Sequence, residues 1–249
     1  MGAIALIDGD IVAYRVAWTC EANSLPKAQD EGIAFARVDE LLDRILATNQ
    51  TPEYHVFISG SENFRRILCP VYKRNRDDKP KPRLLDPIRN FLVREWGAEV
   101  TSGYEADDGI GILGAELQGG SREGKYPVYC SIDKDFRQLV GRHYNFVKDA
   151  FEDISPQQAA LAFWSLMLIG DASDNVRGVD GIGPIKARRN LADLSPIEME
   201  HRVRELYADD ERFALNRVLL RILQSEREYL DIEDKIRQGQ RPTLATGST

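Results

Sequence analysis

The chain has 249 residues, 43% of them apolar and 29% charged, with a net charge of −7. That is material for one large domain or two small ones, and no apolar run approaches the ~20 residues that span a membrane. Cys20, Cys69 and Cys130, like His55, His143 and His201, are scattered and never in metal-binding or C-x-x-C spacing, which excludes a disulfide framework and argues against zinc. A reduced, cytoplasmic, monomeric protein is expected. The opening Met-Gly-Ala-Ile-Ala-Leu-Ile-Asp has no basic region and meets an acid early, so it does not read as a signal peptide.

In chain order, residues 3–8, 54–59 and 127–132 are short apolar runs that predict buried parallel strands. Helical spacing covers 33–47, 84–96 and 105–117, the last ended by Gly119-Gly120. This alternation predicts an α/β fold with a mostly parallel central sheet flanked by helices. From Ser155-Pro156 onward the pattern is helical, over 156–169, 184–191, 196–207 and 211–224, and Ser195-Pro196-Ile197-Glu198 reads as a capping box. The expected division is an α/β core over 1–153, a helical region over 154–235 and a disordered tail over 236–249.

Carboxylates recur where strands end and helices begin. Asp8 closes the first run, Glu105, Asp107 and Asp108 open a helix, Asp133 and Asp135 follow the 127–132 strand, and Asp171 and Asp174 follow an apolar helix. An Asp at a strand end also serves as a helix cap or turn former, and one or two acids in a first helical turn need no further role. Three in four positions repel one another, however, and eight such acids have few basic neighbours in sequence. Hard oxygen donors without a Cys or His cluster favour magnesium or manganese. Ligands of open α/β sheets gather at the carboxyl ends of strands, where Asp8 and Asp133 fall.

Without those eight acids the remaining charge is close to neutral, and it is uneven. Lys73, Arg74, Arg76, Lys79, Lys81 and Arg83 face only Asp77 and Asp78 in the same segment, and Lys186, Arg188 and Arg189 form a second basic run. Basic patches beside an acidic pocket suit a phosphodiester. The stretch Gly178-Val179-Asp180-Gly181-Ile182-Gly183-Pro184 carries the most specific signal. Its glycines allow left-handed backbone and close approach to a phosphate, and a helix starts at Pro184 with free amides. That is a helix–hairpin–helix pattern for holding a nucleic-acid backbone without reading bases, with Gly181, Gly183, Lys186 and Arg188 as contacts.

Taken together, these residues resemble the 5′-nuclease or flap endonuclease superfamily, which includes bacteriophage 5′–3′ exonucleases and the 5′-nuclease domain of bacterial DNA polymerase I. The resemblance runs over roughly residues 4–205. In order it carries Leu-Ile-Asp8-Gly, Asn63-Phe64-Arg65, Tyr72-Lys73-Arg74-Asn75-Arg76, Tyr104-Glu105-Ala-Asp107-Asp108, Asp133-Lys-Asp135 and Gly170-Asp171-Ala-Ser-Asp174 with the glycine hairpin behind it. It implies a PIN-like 5′-nuclease core, and cleavage of DNA at 5′ ends, flaps or single-strand/duplex junctions with two magnesium or manganese ions. It implies a first ion around Asp8, Glu105, Asp107 and Asp108, and a second around Asp133, Asp135, Asp171 and Asp174. Tyr72 would stack on a base, Lys73 and Arg76 would contact the reacting phosphate, and Arg15 a neighbouring one. A basic clamp at 70–90, with Arg74, Lys79 and Lys81, would cover the 5′ strand; its segment 73–83 is expected to be disordered without DNA, since Pro80 and Pro82 make it too interrupted for a long helical arch before the helix near Leu84.

One position departs from the family pattern. Where the family has a metal-site Asp after the Phe of its second strand, this chain has Ile58, with Ser59, Ser61 and Glu62 as possible substitutes. A structure-specific DNA-binding module with lost catalysis is therefore an alternative. A haloacid-dehalogenase-like phosphatase is another, suggested by Asp8-x-Asp10, but Ile11 and Val12 stand where its Thr is expected.

Overall fold

The computed structural model describes residues 2–21 and 27–240. In chain order the elements are β1 (Gly2–Asp8), α1 (Gly9–Glu21), α2 (Lys27–Asn49), β2 (Tyr54–Ile58), α3 (Phe64–Leu68), α4 (Leu85–Trp96), β3 (Glu99–Val100), α5 (Ala106–Gln118), β4 (Lys125–Cys130), β5 (Gly141–Asn145) and β6 (Ala150–Ile154). There follow α6 (Pro156–Ile169), β7 (Gly170–Asp171), β8 (Val176–Arg177), α7 (Pro184–Leu191), α8 (Pro196–Tyr207), α9 (Asp210–Leu220) and α10 (Glu226–Arg237). They form two compact units. One comprises 1–62, 80–133 and 141–153; the other comprises 63–79, 134–140 and 154–249, so the second unit is discontinuous where a contiguous division near 153 was expected. Of the tail expected to be disordered, Arg237 still closes α10, and 241–249 lie outside the described residues.

The first unit is built on a six-stranded sheet in the order β3-β2-β1-β4-β5-β6. The pairs of β1 with β2 and β4, β2 with β3, and β4 with β5 are all parallel. β1 is buried over all but its first residue because both of its faces are covered. Its chain leaves to β2 on one side while β4 pairs on the other, so the order reverses between β1 and β4. Open α/β sheets place ligands at such a reversal, beyond the strand carboxyl ends. The apolar faces of α1 (Val12, Val16, Cys20), α2 (Val38, Leu42, Ile45) and α4 (Ile88, Leu92) share one core with the strands.

Helix α5 sits unusually close to the sheet because two of its positions are glycine. A Cβ at Gly109 would stand 2.8 Å from the Phe57 ring, and one at Gly114 would stand 2.5 Å from a ring carbon of the buried Tyr129. On an exposed helix, Gly→Ala adds about 0.5–1 kcal/mol of stability. Gly114→Ala is expected to reverse that sign and cost about 1–3 kcal/mol through overpacking, measured by thermal or urea unfolding.

The second unit gathers Phe163, Met167 and Leu168 of α6, Ala187 and Leu191 of α7, Met199 and Val203 of α8, and Phe213 and Leu219 of α9 into a separate core that also takes in Tyr72. The Ser155 and Ser195 caps form as read from sequence, each with a reciprocal bond from Gln158 or Glu198. The helix expected over 211–224 instead stops at Leu220. No Gly or Pro ends it. The Ile222 N–H is drawn to Gln138 Oε1 at 2.8 Å. The buried Arg65 guanidinium donates to the Leu219 carbonyl at 3.0 Å and the Arg221 carbonyl at 2.6 Å. These bonds satisfy the groups that a longer helix would have used. α1, α3, α10, β3 and β5 to β8 had no reading in the sequence; α3 and these strands have five residues or fewer, and β6 also lacks an apolar alternation.

Candidate active site

In the first unit, Asp8 ends β1 and is buried. Its Oδ1 accepts the Ile11 N–H at 3.0 Å, capping α1, and its Oδ2 accepts the Ser131 hydroxyl at 2.8 Å from the end of β4. Ser131 Oγ in turn accepts the Asp133 N–H at 3.1 Å. The carboxylate thus bridges the two strands that flank the reversal. Burial, with Asp10 and Asp133 nearby, pushes the Asp8 carboxyl up to about 7, against the pull of Ile11 N–H and Ser131.

Ile58 points into the core and is fully buried, packed over Gly9, so no donor stands at that position. Of the substitutes considered, Ser59 is engaged in a knot. Its Oγ accepts the Ala106 N–H at 2.9 Å at the start of α5, and its own N–H donates to Asp10 Oδ2 at 3.0 Å. Arg89 pairs with Asp10 and donates to the Ser59 carbonyl. In the sequence reading Ser59 entered only as a substitute donor and Asp10 only through the phosphatase alternative, while Arg89 had no assigned part. They tie the end of β2, the first half of α4 and the start of α5 to the start of α1, and so set where α5 presents its acids. Asp108 is fully buried, and its Oδ2 accepts the Glu105 N–H at 3.1 Å in a capping box, while Glu105 and Asp107 are half-buried.

In the second unit, two loops are stitched together. Asp171, in β7 just beyond α6, accepts the Ser173 N–H and hydroxyl, each at 2.6 Å, and lies 3.2 Å from Lys134 Nζ. Burial raises its carboxyl, yet Ser173 and Lys134 outweigh burial and leave it below the ordinary carboxylate range. Asp174, buried, receives the Tyr72 hydroxyl at 2.9 Å and Arg76 at 2.5 Å, with Lys73 at 3.7 Å. Asn75 donates to the Ala172 carbonyl at 2.8 Å and Asn175 to the Val71 carbonyl at 2.8 Å. Asp135 is half-buried on the short turn Lys134–Gln138.

Three expectations differ here. The carboxylates were read as short of basic partners, but Asp174 and Asp171 have them, from residues remote in sequence or set between two acids. Tyr72 was expected to stack on a base; its ring is buried beside α6 residues in the second unit's core. The segment expected to be disordered is anchored over 73–76, with Lys73 left-handed at φ 55° and a 3₁₀ turn over Arg74–Arg76. Arg74, Lys79 and Lys81 are exposed.

Behind Asp174 the chain forms the two-stranded ribbon of β7 and β8. A Cβ at Gly170 would meet the Gly178 amide at 2.3 Å, so these two glycines serve ribbon closure. Gly181, at φ +74°, and Gly183 instead face open space before α7. Lys186, exposed, donates to the Gly181 carbonyl at 2.8 Å, and Arg188 is exposed on the same helix.

Among the described residues no three His, Cys, Asp or Glu side chains close a ready-made cage for a metal ion. The donor set is nonetheless oxygen-only, and a buried carboxylate driven toward its neutral form at Asp8 is the electrostatic condition that a hard divalent cation relieves. The residues fit such an ion. No helix among the described residues is long and apolar enough to cross a membrane.

Known proteins are similar to this chain in sequence and in fold. DNA polymerase I of Bacillus caldotenax is 32% identical over 217 residues, covering 78% of this chain and 24% of that one. A 5′–3′ exonuclease of Buchnera aphidicola is 28% identical over 194 residues, covering 72% of this chain and 66% of that one. The chain therefore spans about a quarter of the polymerase and just under two thirds of the exonuclease. The bacteriophage T5 D15 flap endonuclease, solved with DNA and metal ions, has the same fold at a TM-score of 0.64 and 18% identity, with 88% of each chain covered. The model of the 5′–3′ exonuclease N-terminal resolvase-like domain matches residues 3–163, well over half the chain, and the chain belongs to this family.

Proposed function

We propose that the chain is a divalent-metal-dependent nuclease that hydrolyses DNA phosphodiesters from a 5′ end or at a 5′ flap. The observation that carries this reading is the buried Asp8 carboxylate bridging β1 to β4 at the strand-order reversal, in a chain of the 5′–3′ exonuclease family. Magnesium or manganese, two ions as in the family, would be held by Asp8, Glu105, Asp107 and Asp108 and by Asp133, Asp135, Asp171 and Asp174. The chemistry such ions supply is Lewis-acid neutralisation of charge at the attacked phosphate, with activation of water.

The chain's own residues do the rest. Lys73 and Arg76, which rest on Asp174, supply fixed positive charge that a phosphate competes for. Arg15 takes a neighbouring phosphate. Tyr72 reaches a base only by leaving its buried place on Asp174, so base stacking and release of Asp174 are coupled. Gly181, Gly183, Lys186 and Arg188 form the second half of a helix–hairpin–helix that grips duplex backbone, while Arg74, Lys79 and Lys81 cover the 5′ strand. The setting is a monomer in the cytoplasm of a bacterial or phage-infected cell.

The test is cleavage of a labelled 5′-flap substrate with magnesium, with manganese, and in chelator. Metal-dependent release from the 5′ side is expected; full cleavage in chelator, or none with either metal, refutes the reading. Neutralising Lys186 and Arg188 is expected to weaken duplex binding equally for different sequences and to reduce the slope of log K on log salt by about 2. A sequence-selective loss would indicate base readout instead.

A further inference from the structure

The outer face of α1 and α2 in the first unit holds a cationic cleft, of about 270 Å³, lined by Arg15 and Thr19 of α1 and Arg37, Glu40 and Arg44 of α2. Among the described residues no ion pair involves Arg15, Arg37 or Arg44, although Glu40 lines the same cleft. Arg37 donates to the Cys20 sulfur at 3.6 Å, a weak acceptor that neutralises nothing. Among the described residues the cleft sets three guanidiniums against one carboxylate; the guanidiniums repel one another, and an anion between them removes that repulsion. Arginine forks match phosphate oxygens in pairs.

The same helix offers a second, different feature. Trp18, one turn beyond Arg15, is 48% exposed, and Tyr14, one turn before Trp18, is 38% exposed. Both rings lie on the outer side of α1, whose other side (Val12, Val16, Cys20) fills the core. Exposed aromatic rings beside unpaired arginines give π faces for bases and charge for the linking phosphates. Duplex bases are already stacked and offer no such face, so the match is to an unpaired strand.

We infer that the α1–α2 cleft is a binding site for single-stranded nucleic acid, with Arg37 and Arg44 holding backbone phosphates and Trp18 stacking a base. Arg15 faces this cleft and stands seven residues, ~10 Å of helical rise, after Asp8. Its use in holding the unpaired strand of a substrate rests on the nuclease reading, but the binding itself does not.

The experiment measures fluorescence anisotropy of labelled oligothymidylate in chelator, with inorganic phosphate and polyglutamate as competitors. The proteins are the wild-type chain, the double variant Arg37→Ala/Arg44→Ala, and Trp18→Ala, each checked for an unchanged melting curve. The double variant is expected to bind about tenfold or more weakly, with the log K on log salt slope reduced by about 1.4. Trp18→Ala is expected to weaken binding about fivefold or more with its salt slope unchanged. Equal affinities in all three proteins overturn the site. So does displacement by inorganic phosphate alone, which marks a small-anion pocket, or by polyglutamate as readily as by oligothymidylate, which marks a protein-docking face. Cleavage is assayed separately: a chain that binds through these residues but cuts nothing refutes the nuclease reading and leaves this site standing. A chain that cuts flaps with unaltered oligothymidylate affinity in the variants does the reverse.

Discussion

Asp8→Asn is expected to stabilise the metal-free protein at pH 8 while abolishing cleavage. The Asp8 carboxyl is raised from 3.8 to about 7 in the folded state by burial, with Asp10 and Asp133 adding repulsion. Between those two values the folded protein holds a proton that the unfolded chain has released, so stability falls as pH rises through that window. With about 1.4 kcal/mol per pH unit, the full loss above pH 7 is on the order of 4 kcal/mol. Asparagine keeps an oxygen to cap the Ile11 N–H and places an amide against Ser131, so the geometry survives while the buried charge is gone. The melting temperature of the wild type should therefore drop from pH 5 to pH 8 in chelator, and that of the variant should drop much less. Added magnesium should restore the wild type at pH 8 and do little for the variant. A variant that is less stable than wild type at pH 8 in chelator, with no gain in the wild type on adding magnesium, would mean that the Asp8 charge is structural and that no cation is drawn to it.

The second large effect is expected at Asp171, where Ala and Asn should part company. The carboxylate shapes the turn that carries Asp174, because its Oδ1 takes the Ser173 N–H and hydroxyl and approaches the Asp174 N–H at 3.3 Å. Asp171→Ala strips those partners and should cost about 1–3 kcal/mol as well as turnover. Asp171→Asn keeps the turn acceptor and removes only the charge opposite Lys134. It should retain most of the stability and flap affinity, yet cleave about a hundredfold more slowly or worse. Unfolding curves, flap binding in chelator and single-turnover cleavage separate these outcomes. Near-normal turnover in Asp171→Asn would reduce this residue to a turn former.

The pattern of strands ending in acids was legible along the chain because it depends on neighbours within a few residues. β1 and β4 each hold a short apolar run, and the Ser155 and Ser195 caps close on partners three residues away, so sequence alone determined where they lie and, through strand–helix alternation, the parallel sheet. It also placed Asp8 at a strand end, though not its bond to Ser131, which is 123 residues distant. What only tertiary structure decided is how each charge is compensated. Arg76 meets Asp174 across 98 residues, Arg89 meets Asp10 across 79, and Tyr72 turns inward to the same Asp174 across 102. The end of α9 likewise follows from Gln138 and Arg65 reaching its last carbonyls and the amide beyond. A local window registers propensity and spacing; it holds no information on which remote donor arrives. Desolvation makes that arrival decisive, since a buried carboxylate is stable only in the company that the fold brings to it.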